Sequence, residues 1–216
     1  MRIFNITWGG AKGTCLLRNG IWMEGMSFEY LGRKFAYFSS AGTKGSILLM
    51  HGYSFNSAVW YEIGLVDALN KLGFKTVCLD VPGYPQSLNK LAIDENGLVG
   101  LLAKMAGTLQ RPLFILGSSA SAHTALKFAQ GRQGLDGVIA VAPVSFRGIK
   151  LESIRTRALA IWGRNDDISP PYINADQMQR IPGARVEIME GAGHACYLNN
   201  PKAFIKLISE FISVDK

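Results

Sequence analysis

Three short segments of the sequence each carry a residue type that takes part in nucleophilic catalysis. The GSSAS segment places Ser119 between an apolar run and a helical pattern, where a sharp turn can expose its hydroxyl group. His194 follows two glycines in GAGHAC, and Asp166 lies in WGRNDDISP. A serine hydroxyl is a weak nucleophile until a histidine takes its proton, and a carboxylate orients that histidine. The three side chains together predict acyl transfer through a covalent serine intermediate.

Each of these segments also has a purely structural interpretation. GSSAS alone is typical of a polar helix cap, and Ser121 stands where the usual G-x-S-x-G elbow has its second glycine. Asp166 and Asp167 are adjacent, and the spacing after the preceding glycine favours Asp166, whereas Asp167 is better explained as a cap. The chain order Ser119, Asp166, His194 is that of α/β hydrolases and differs from the orders of other serine-hydrolase folds. The three segments in this order are far more specific than any one alone.

A fourth segment, HGYS, follows another apolar run and is the candidate partner of the elbow in an oxyanion hole. The backbone N–H groups of Tyr53 and Ala120 can both point at the oxygen on which charge develops in acyl transfer. His51 is better explained as a structural residue that hydrogen-bonds this loop, and His123 as a structural residue one helical turn beyond Ser119.

Two further residues could in principle replace part of this set. Cys196 has no elbow of its own, so we interpret it as a small apolar residue or a pocket liner. Asp80 is an alternative acid, although a role in stabilising its turn is favoured. The residues predicted to line the substrate pocket are Ser54, Phe55, Tyr84, Phe146, Ile168 and Tyr197.

These segments need a scaffold, and the hydropathy pattern predicts one. A hairpin at residues 28–38 is followed by short apolar runs that alternate with helical stretches, among them one helix at residues 58–72. This alternation implies an α/β fold with a mostly parallel twisted sheet that is covered by helices on both faces. Together with the chain order of the serine, the aspartate and the histidine, it predicts the α/β-hydrolase fold. Ligands then bind beyond the carboxyl ends of the strands. Only 13 residues separate Pro143 from Arg157, which leaves no room for a lid domain and predicts an open site.

Length and composition limit the other possibilities. The 216 residues, 48% of them hydrophobic and 18% charged, fit one globular domain, which we place at residues 26–216 after a poorly defined N-terminal extension at residues 1–25. No apolar run approaches the roughly 18–20 residues of a membrane span. The net charge of +7 is spread along the chain, and no nucleic-acid-binding motif is present. The 3 cysteines lack a CxxC pair, which argues against a disulfide framework or a zinc site and favours the cytoplasm.

The motifs taken together resemble the α/β-hydrolase family. They are HGYS, the DVPGY turn at residues 80–84, the GSSAS elbow, WGRNDDISP and GAGHACYLNNP, and they extend over most of the chain. The C-terminal segment VEIMEGAGHACYLNNPKAF is most similar to a branch of small lidless hydrolases that includes a protein lysine deacetylase. The resemblance implies that a serine is tolerated at position 121, and it implies esterase activity on short acyl esters. It also implies, as an alternative, acetyl transfer from lysine to coenzyme A.

The sequence therefore predicts a serine hydrolase of short-chain carboxylic esters, with a small-molecule ester or an acylated molecule as substrate. Neither a metal nor a bound cofactor is required, and no nucleic-acid or membrane partner is expected, whereas a protein partner is left open. The second hypothesis is deacylation of an amine with coenzyme A as acceptor. The third is a non-catalytic protein-binding module on a hydrolase scaffold, because a fold alone does not determine a function.

Overall fold

The computed structural model describes residues 12–16 and 22–213, with side chains described from residue 25 onward. The strands are β1 (Lys12–Leu16), β2 (Trp22–Tyr30), β3 (Arg33–Ser39), β4 (Gly45–Met50), β5 (Phe74–Leu79), β6 (Leu113–Ser118), β7 (Gly137–Val141), β8 (Arg157–Gly163) and β9 (Arg185–Met189). The helices are α1 (Val59–Glu62), α2 (Leu65–Lys71), α3 (Glu95–Ala106), α4 (Ala120–Ala129), α5 (Pro171–Met178), α6 (Cys196–Asn199) and α7 (Pro201–Ser213). Residues 1–11 and 17–21 of the predicted extension, and residues 214–216 of the predicted domain, lie outside the described residues.

The nine strands form one sheet in the order β1-β2-β3-β5-β4-β6-β7-β8-β9. The pairs from β1 through β3 to β5 are antiparallel, and every pair from β5 to β9 is parallel. Every residue of the central strands β4 and β6 is buried, which explains why their sequences are apolar runs rather than alternating patterns. The predicted α/β fold with a mostly parallel sheet is confirmed.

Helices cover both faces of the sheet, so that the domain has two apolar cores. Successive side chains of a strand point to opposite faces. Ile47 and Leu49 of β4 accordingly pack with α1, α2 and α7, whereas Leu48 and Met50 pack with α3, α4 and α5. Burial of such a side chain contributes roughly 1.5–3 kcal/mol to stability. The two cores hold the strand ends, and therefore the loops that follow them, in position.

Two elements differ from the prediction. The segment 58–72 forms α1 and α2 rather than one helix, because Gly64 between them has φ 80°, a left-handed conformation that is not helical. The hydropathy pattern also predicts no strand before residue 28, whereas β1 and the first residues of β2 already form an antiparallel pair at the edge of the sheet. Pairing at a sheet edge depends on backbone hydrogen bonds and needs no apolar run.

The connection from β7 to β8 contains no lid. Ile149, Leu151 and Ile154 are buried in the core, and a single turn of 3-10 helix at Leu151–Ser153 is the only helical element of this described segment. The predicted absence of a lid domain is therefore confirmed. Among the described residues, no helix has the length and hydropathy that a membrane crossing needs.

Candidate active site

Ser119 lies at the turn between β6 and α4, and its backbone conformation is strained. Its φ of 59° and ψ of −119° lie in a region that residues other than glycine rarely occupy, at a cost of about 1–3 kcal/mol. The Ser119 N–H donates a hydrogen bond to the carbonyl oxygen of Val141 at 2.7 Å, which holds the turn against β7. The strained turn places the Ser119 hydroxyl beyond the carboxyl end of the strand, at the start of a helix.

The residues on either side of the turn make this close geometry possible. A Cβ atom on Gly117 would lie 2.1 Å from the carbonyl oxygen of Ser121, so position 117 has no space for a side chain. Ser121 is fully buried, and its Oγ donates a hydrogen bond to the carbonyl oxygen of His51 at 2.7 Å. The serine in place of the usual second glycine is thus accommodated, and it joins the elbow to the HGYS loop.

The structure brings His194 between Asp166 and Ser119. Its Nδ1 lies 2.8 Å from Oδ2 and 3.0 Å from Oδ1 of Asp166, and its Nε2 lies 2.8 Å from the Ser119 Oγ. Because an ionised carboxylate only accepts hydrogen bonds, Nδ1 carries the proton and Nε2 is free to accept the proton of the hydroxyl group. The His194 side chain is 18% exposed, whereas that of Asp166 is fully buried. This is the geometry that general-base activation of a serine requires.

Backbone groups orient the Asp166 carboxylate. Its Oδ1 accepts hydrogen bonds from the N–H groups of Ile168 at 2.9 Å and Ser169 at 2.8 Å, which leaves Oδ2 facing the histidine. Asp167 is exposed to solvent. The structure therefore places Asp166, and not its neighbour, against the His194 ring.

The loop after β9 passes directly over the loop after β8. A Cβ atom on Gly163 would lie 2.2 Å from the carbonyl oxygen of Gly193, so that only glycine fits at this crossing. The Asn165 N–H donates to the carbonyl oxygen of Ala192 at 2.9 Å, and the Asn199 side chain accepts from the Gly193 N–H at 3.1 Å. These contacts keep the histidine next to its acid.

The HGYS loop lies against the nucleophile elbow. A Cβ atom on Gly52 would lie 3.5 Å from the Ser119 Cβ, which places the next residue, Tyr53, beside the nucleophile. Ala120 is the first residue of α4, and first-turn N–H groups have no partner within their own helix. In the described part of the chain, no backbone carbonyl accepts a hydrogen bond from either the Tyr53 or the Ala120 N–H. Both donors are therefore available to an oxyanion.

His51 and Asp80 hold this loop in place. His51 is fully buried, and its Nε2 accepts the Val81 N–H at 2.8 Å. Asp80 is buried and accepts the N–H groups of Ser57 at 2.8 Å and Leu88 at 2.7 Å. Burial alone raises the pKa of the Asp80 carboxyl, but the adjacent His51 ring and the two N–H donors outweigh burial, so that the pKa lies below its ordinary value. The contacts confirm the structural roles expected for both residues.

Three of the predicted pocket residues remain accessible near the surface. Ser54 is exposed, and Ile168 is 65% exposed on the loop that carries the acid. Tyr84 is half-buried, and its hydroxyl group lies 3.3 Å from the Ser121 Oγ, next to the elbow. These positions are compatible with contacts to a substrate.

The three other predicted pocket residues pack on the cores. Tyr197 is only 1% exposed and packs against Trp60 with ring centroids 5.1 Å apart, so the prediction that it lines the pocket is wrong. Phe55 packs edge-on against Tyr197 at 6.0 Å, and Phe146 packs on the opposite core. The short helix α6 turns Tyr197 inward, a direction that hydropathy alone does not predict.

Cys196 is also a core residue. It is fully buried at the start of α6, and burial raises the pKa of its thiol to about 12. A thiol that stays protonated at neutral pH is a poor nucleophile. Of the two interpretations of Cys196, the structure therefore supports the small apolar residue.

A cavity of about 480 Å³ beside Ala120 was not among the predicted features. It lies between α4, the start of α3 and the segment after β7, and none of the six predicted pocket residues lines it. Ala120, His123 and Lys127 line one wall at the spacing of a single helix face. That spacing is the only local signal of the cavity, because its other wall comes from a segment distant in sequence.

The fold and the site are those of an α/β hydrolase: this sheet order, the strained elbow after β6, the acid after β8 and the histidine after β9. Within this class, residues 41–150 match the family model described as serine aminopeptidase, S33. The chain belongs to this family of α/β hydrolases.

The chain is also similar to individual proteins over most of its length. The chain is 33% identical over 172 residues to human protein ABHD14A, covering 77% of its own length and 63% of that protein. It is 31% identical over 182 residues to human "Putative protein-lysine deacylase ABHD14B", covering 80% and 85% of the two chains. A crystal structure of a "predicted CIB-like hydrolase" from Thermoplasma acidophilum has a TM-score of 0.77 at 25% identity, over 88% of this chain and 97% of that one. Est1E from Butyrivibrio proteoclasticus, at 13% identity and a TM-score of 0.71 over 88% and 99%, shares the fold.

Proposed function

We propose that the chain is a serine hydrolase that cleaves short-chain carboxylic esters through an acyl-enzyme intermediate. The observation that carries this proposal is the 2.8 Å contact between Ser119 Oγ and His194 Nε2, with the other ring nitrogen on the buried Asp166. His194 takes the hydroxyl proton as Oγ attacks the ester carbonyl, and Asp166 stabilises the resulting imidazolium. The N–H groups of Tyr53 and Ala120 stabilise the oxyanion of the tetrahedral intermediate.

The second half of the reaction reverses the proton transfers. Collapse of the tetrahedral intermediate breaks the bond to the alcohol oxygen, and His194 returns its proton to this leaving group. Water then attacks the acyl-Ser119 carbonyl while His194 takes a proton from the water. Collapse of this second intermediate breaks the bond to Ser119 Oγ, and His194 gives its proton to that oxygen, which releases the carboxylic acid and restores the serine. Water is the default acceptor in this proposal, and no metal or bound cofactor enters any step.

The surroundings of Ser119 favour a small acyl group or one attached to a protein. The connection from β7 to β8 carries no lid, and Ser119 and His194 are both only half-buried. A long acyl chain would leave most of its apolar surface in water at such an open site. The buried free thiols of Cys78 and Cys196 support a reducing location such as the cytoplasm.

The experiment combines a series of 4-nitrophenyl esters, from acetate to decanoate, with labelling by a fluorophosphonate probe. We expect the shortest esters to be turned over fastest and Ser119→Ala to lose about 10⁴- to 10⁶-fold in kcat, as well as all labelling. The neighbouring Ser118→Ala is the matched control, and it should still be labelled. Full activity in Ser119→Ala would overturn the assignment. A folded wild-type chain that neither labels nor turns over any ester would instead support the non-catalytic binding module.

Removal of an acyl group from an amine is the second candidate. The observation that favours it is the similarity to the human protein named as a protein-lysine deacylase, of which the chain covers 85%. The test is incubation with an acetyl-lysine peptide, with and without coenzyme A. Acetyl-CoA as a product would favour transfer to the thiol, free acetate in both samples would indicate hydrolysis, and an intact peptide would leave the ester hydrolase.

A further inference from the structure

The cavity beside Ala120 adjoins the nucleophile elbow, because Ala120 directly follows Ser119 in the chain. Ala120 and His123 are three residues apart on α4, and Lys127 lies four residues further, so that the three share one face of the helix. At 1.5 Å of rise per residue, Lys127 lies about 10 Å along the helix axis from Ala120, the proposed oxyanion donor, and the cavity extends over this length. A substrate bound at Ser119 therefore has room for a group several bonds from the scissile ester.

The α4 wall of the cavity carries two nitrogen-bearing side chains that both contact Glu95. His123 Nδ1 lies 3.0 Å from the carbonyl oxygen of Ser145, and its Nε2 lies 2.5 Å from Oε1 of Glu95. Lys127 donates to the other oxygen of Glu95, and this contact, followed by the His123 contact, lowers the pKa of that carboxyl despite some desolvation.

The opposite wall adds a further cation. Arg147 and Gly148 belong to the exposed segment that follows β7, and both line the cavity. The backbone N–H of Arg147 is bonded to the Ser145 Oγ, but no acidic side chain among residues 25–213 pairs with its guanidinium group. The lining of the cavity thus combines one carboxylate, Glu95, with the cations of Lys127 and Arg147 and with the His123 ring.

We propose that this cavity binds an anionic group carried by the substrate, several bonds away from the ester that Ser119 attacks. The guanidinium of Arg147 supplies a forked donor that suits a carboxylate or phosphate, and Lys127 supplies further positive potential. Glu95 contacts Lys127 and His123 and leaves the Arg147 guanidinium without an acidic partner among the described residues. The inference rests on the proposed ester hydrolysis and names the substrate class for the same site.

The first test compares charged esters with neutral esters of equal length. On the acyl side the pair is 4-nitrophenyl hemiadipate and 4-nitrophenyl hexanoate; on the alcohol side it is the acetate esters of 4-hydroxybenzoate and 4-cresol. In one of the two pairs, we expect the charged ester to have a kcat/KM roughly tenfold higher than its neutral partner, mainly because its KM is lower. The pair that shows this difference identifies the half of the substrate that occupies the cavity. The preference should fall as salt is added, because exposed charges are screened.

Variants of Arg147 assign that preference to the cavity. Arg147→Gln should reduce the ratio of charged to neutral kcat/KM about fivefold, and Arg147→Lys should retain part of the charge preference. Arg33→Gln, which removes an exposed arginine at the start of β3, is the matched control and should leave the ratio unchanged. Absence of a charge preference in both pairs, or a preference that Arg147→Gln leaves intact, would overturn the inference.

A binding measurement separates this inference from the proposed function. In Ser119→Ala, two pairs are titrated by calorimetry: monomethyl adipate with methyl hexanoate, and the acetate ester of 4-hydroxybenzoate with that of 4-cresol. The anion of one pair should bind more tightly than its neutral partner, and the addition of Arg147→Gln should abolish the difference. Turnover of neutral esters by the wild type tests ester hydrolysis alone. Equal affinities in the titration would refute the anion site even if every ester is hydrolysed, and unequal affinities would support it even if none is.

Discussion

Replacement of Asp166 by asparagine tests the member of the site that the sequence specifies least well. Oδ1 of Asp166 accepts the N–H groups of Ile168 and Ser169 and lies 3.0 Å from the Nδ1 of His194, whereas Oδ2 makes the shorter contact with that nitrogen, at 2.8 Å. An amide oxygen can accept both backbone N–H groups, whereas an amide nitrogen in that place would meet two donors and no acceptor. The asparagine should therefore keep its oxygen toward the loop and present its NH₂ group to His194.

This orientation forces His194 into the wrong tautomer. Facing an N–H donor, its Nδ1 must accept, so the proton moves to Nε2 and the ring can no longer take the proton of Ser119. The loss of the general base with the geometry intact corresponds to about 10⁴-fold in kcat, or about 5.5 kcal/mol of transition-state stabilisation. The free energy of unfolding should change by no more than about 1 kcal/mol, because each hydrogen bond keeps a partner.

The assay is hydrolysis of 4-nitrophenyl acetate near neutral pH, together with urea unfolding of the same preparation. Asp167→Asn is the control, because Asp167 is exposed and its change should alter kcat by less than about twofold. An Asp166→Asn protein that keeps activity within about tenfold of wild type would refute the tautomer argument. Equal losses in the two variants would show that the acid is not chosen by the loop geometry.

Three further predictions concern stability and reactivity. Ser121→Ala leaves the buried His51 carbonyl without its 2.7 Å donor, so urea unfolding should show a loss of about 1–3 kcal/mol in stability. No loss relative to Ser153→Ala, which removes a solvent-exposed hydrogen bond, would contradict this. Burial raises the pKa of both Cys78 and Cys196, so iodoacetamide at pH 8 should modify neither thiol in the native chain and both after unfolding, as read by mass spectrometry. Because the pKa of Asp80 is lower in the folded chain, the contribution of its carboxylate to the free energy of unfolding is complete above about pH 4 and is lost as the pH falls through the pKa of the folded chain. The urea midpoint of Asp80→Asn should therefore fall less steeply with acid than that of wild type. Equal slopes would contradict the lowered pKa.

The parallel strands could be predicted because their burial on both faces leaves a direct trace in the sequence. β4 and β6 are buried at every position, so their sequences are unbroken apolar runs. The break at Gly64 is different, because the apolar spacing continues through it and only the backbone reveals that the helix stops. β1 is held by pairing with β2 at the sheet edge, and such pairing leaves no comparable pattern.

The positions of Ser119 and His194 could be predicted because strand ends of a parallel sheet converge at one edge. The choice of Asp166 over Asp167 depends on which carboxylate meets the N–H groups of the following loop, a contact that spacing only suggests. The prediction that Tyr197 lines the pocket is wrong for a related reason. An aromatic residue in a short helix packs on the core or faces the pocket according to a rotation of the chain that its residue type does not encode.

The short connection from β7 to β8 links the open site to the charged cavity. A lid inserted there would cover Ser119, and it would also displace the segment that carries Arg147. Without one, the same segment returns to the core at Ile149 and leaves its exposed part as the second wall beside α4. Residues 144–148 therefore contact the substrate in place of a lid. This segment recognises the charge of the substrate, whereas a lid would bury its apolar surface. On this argument, selectivity of the site should depend more on the charge of the substrate than on the length of its acyl chain.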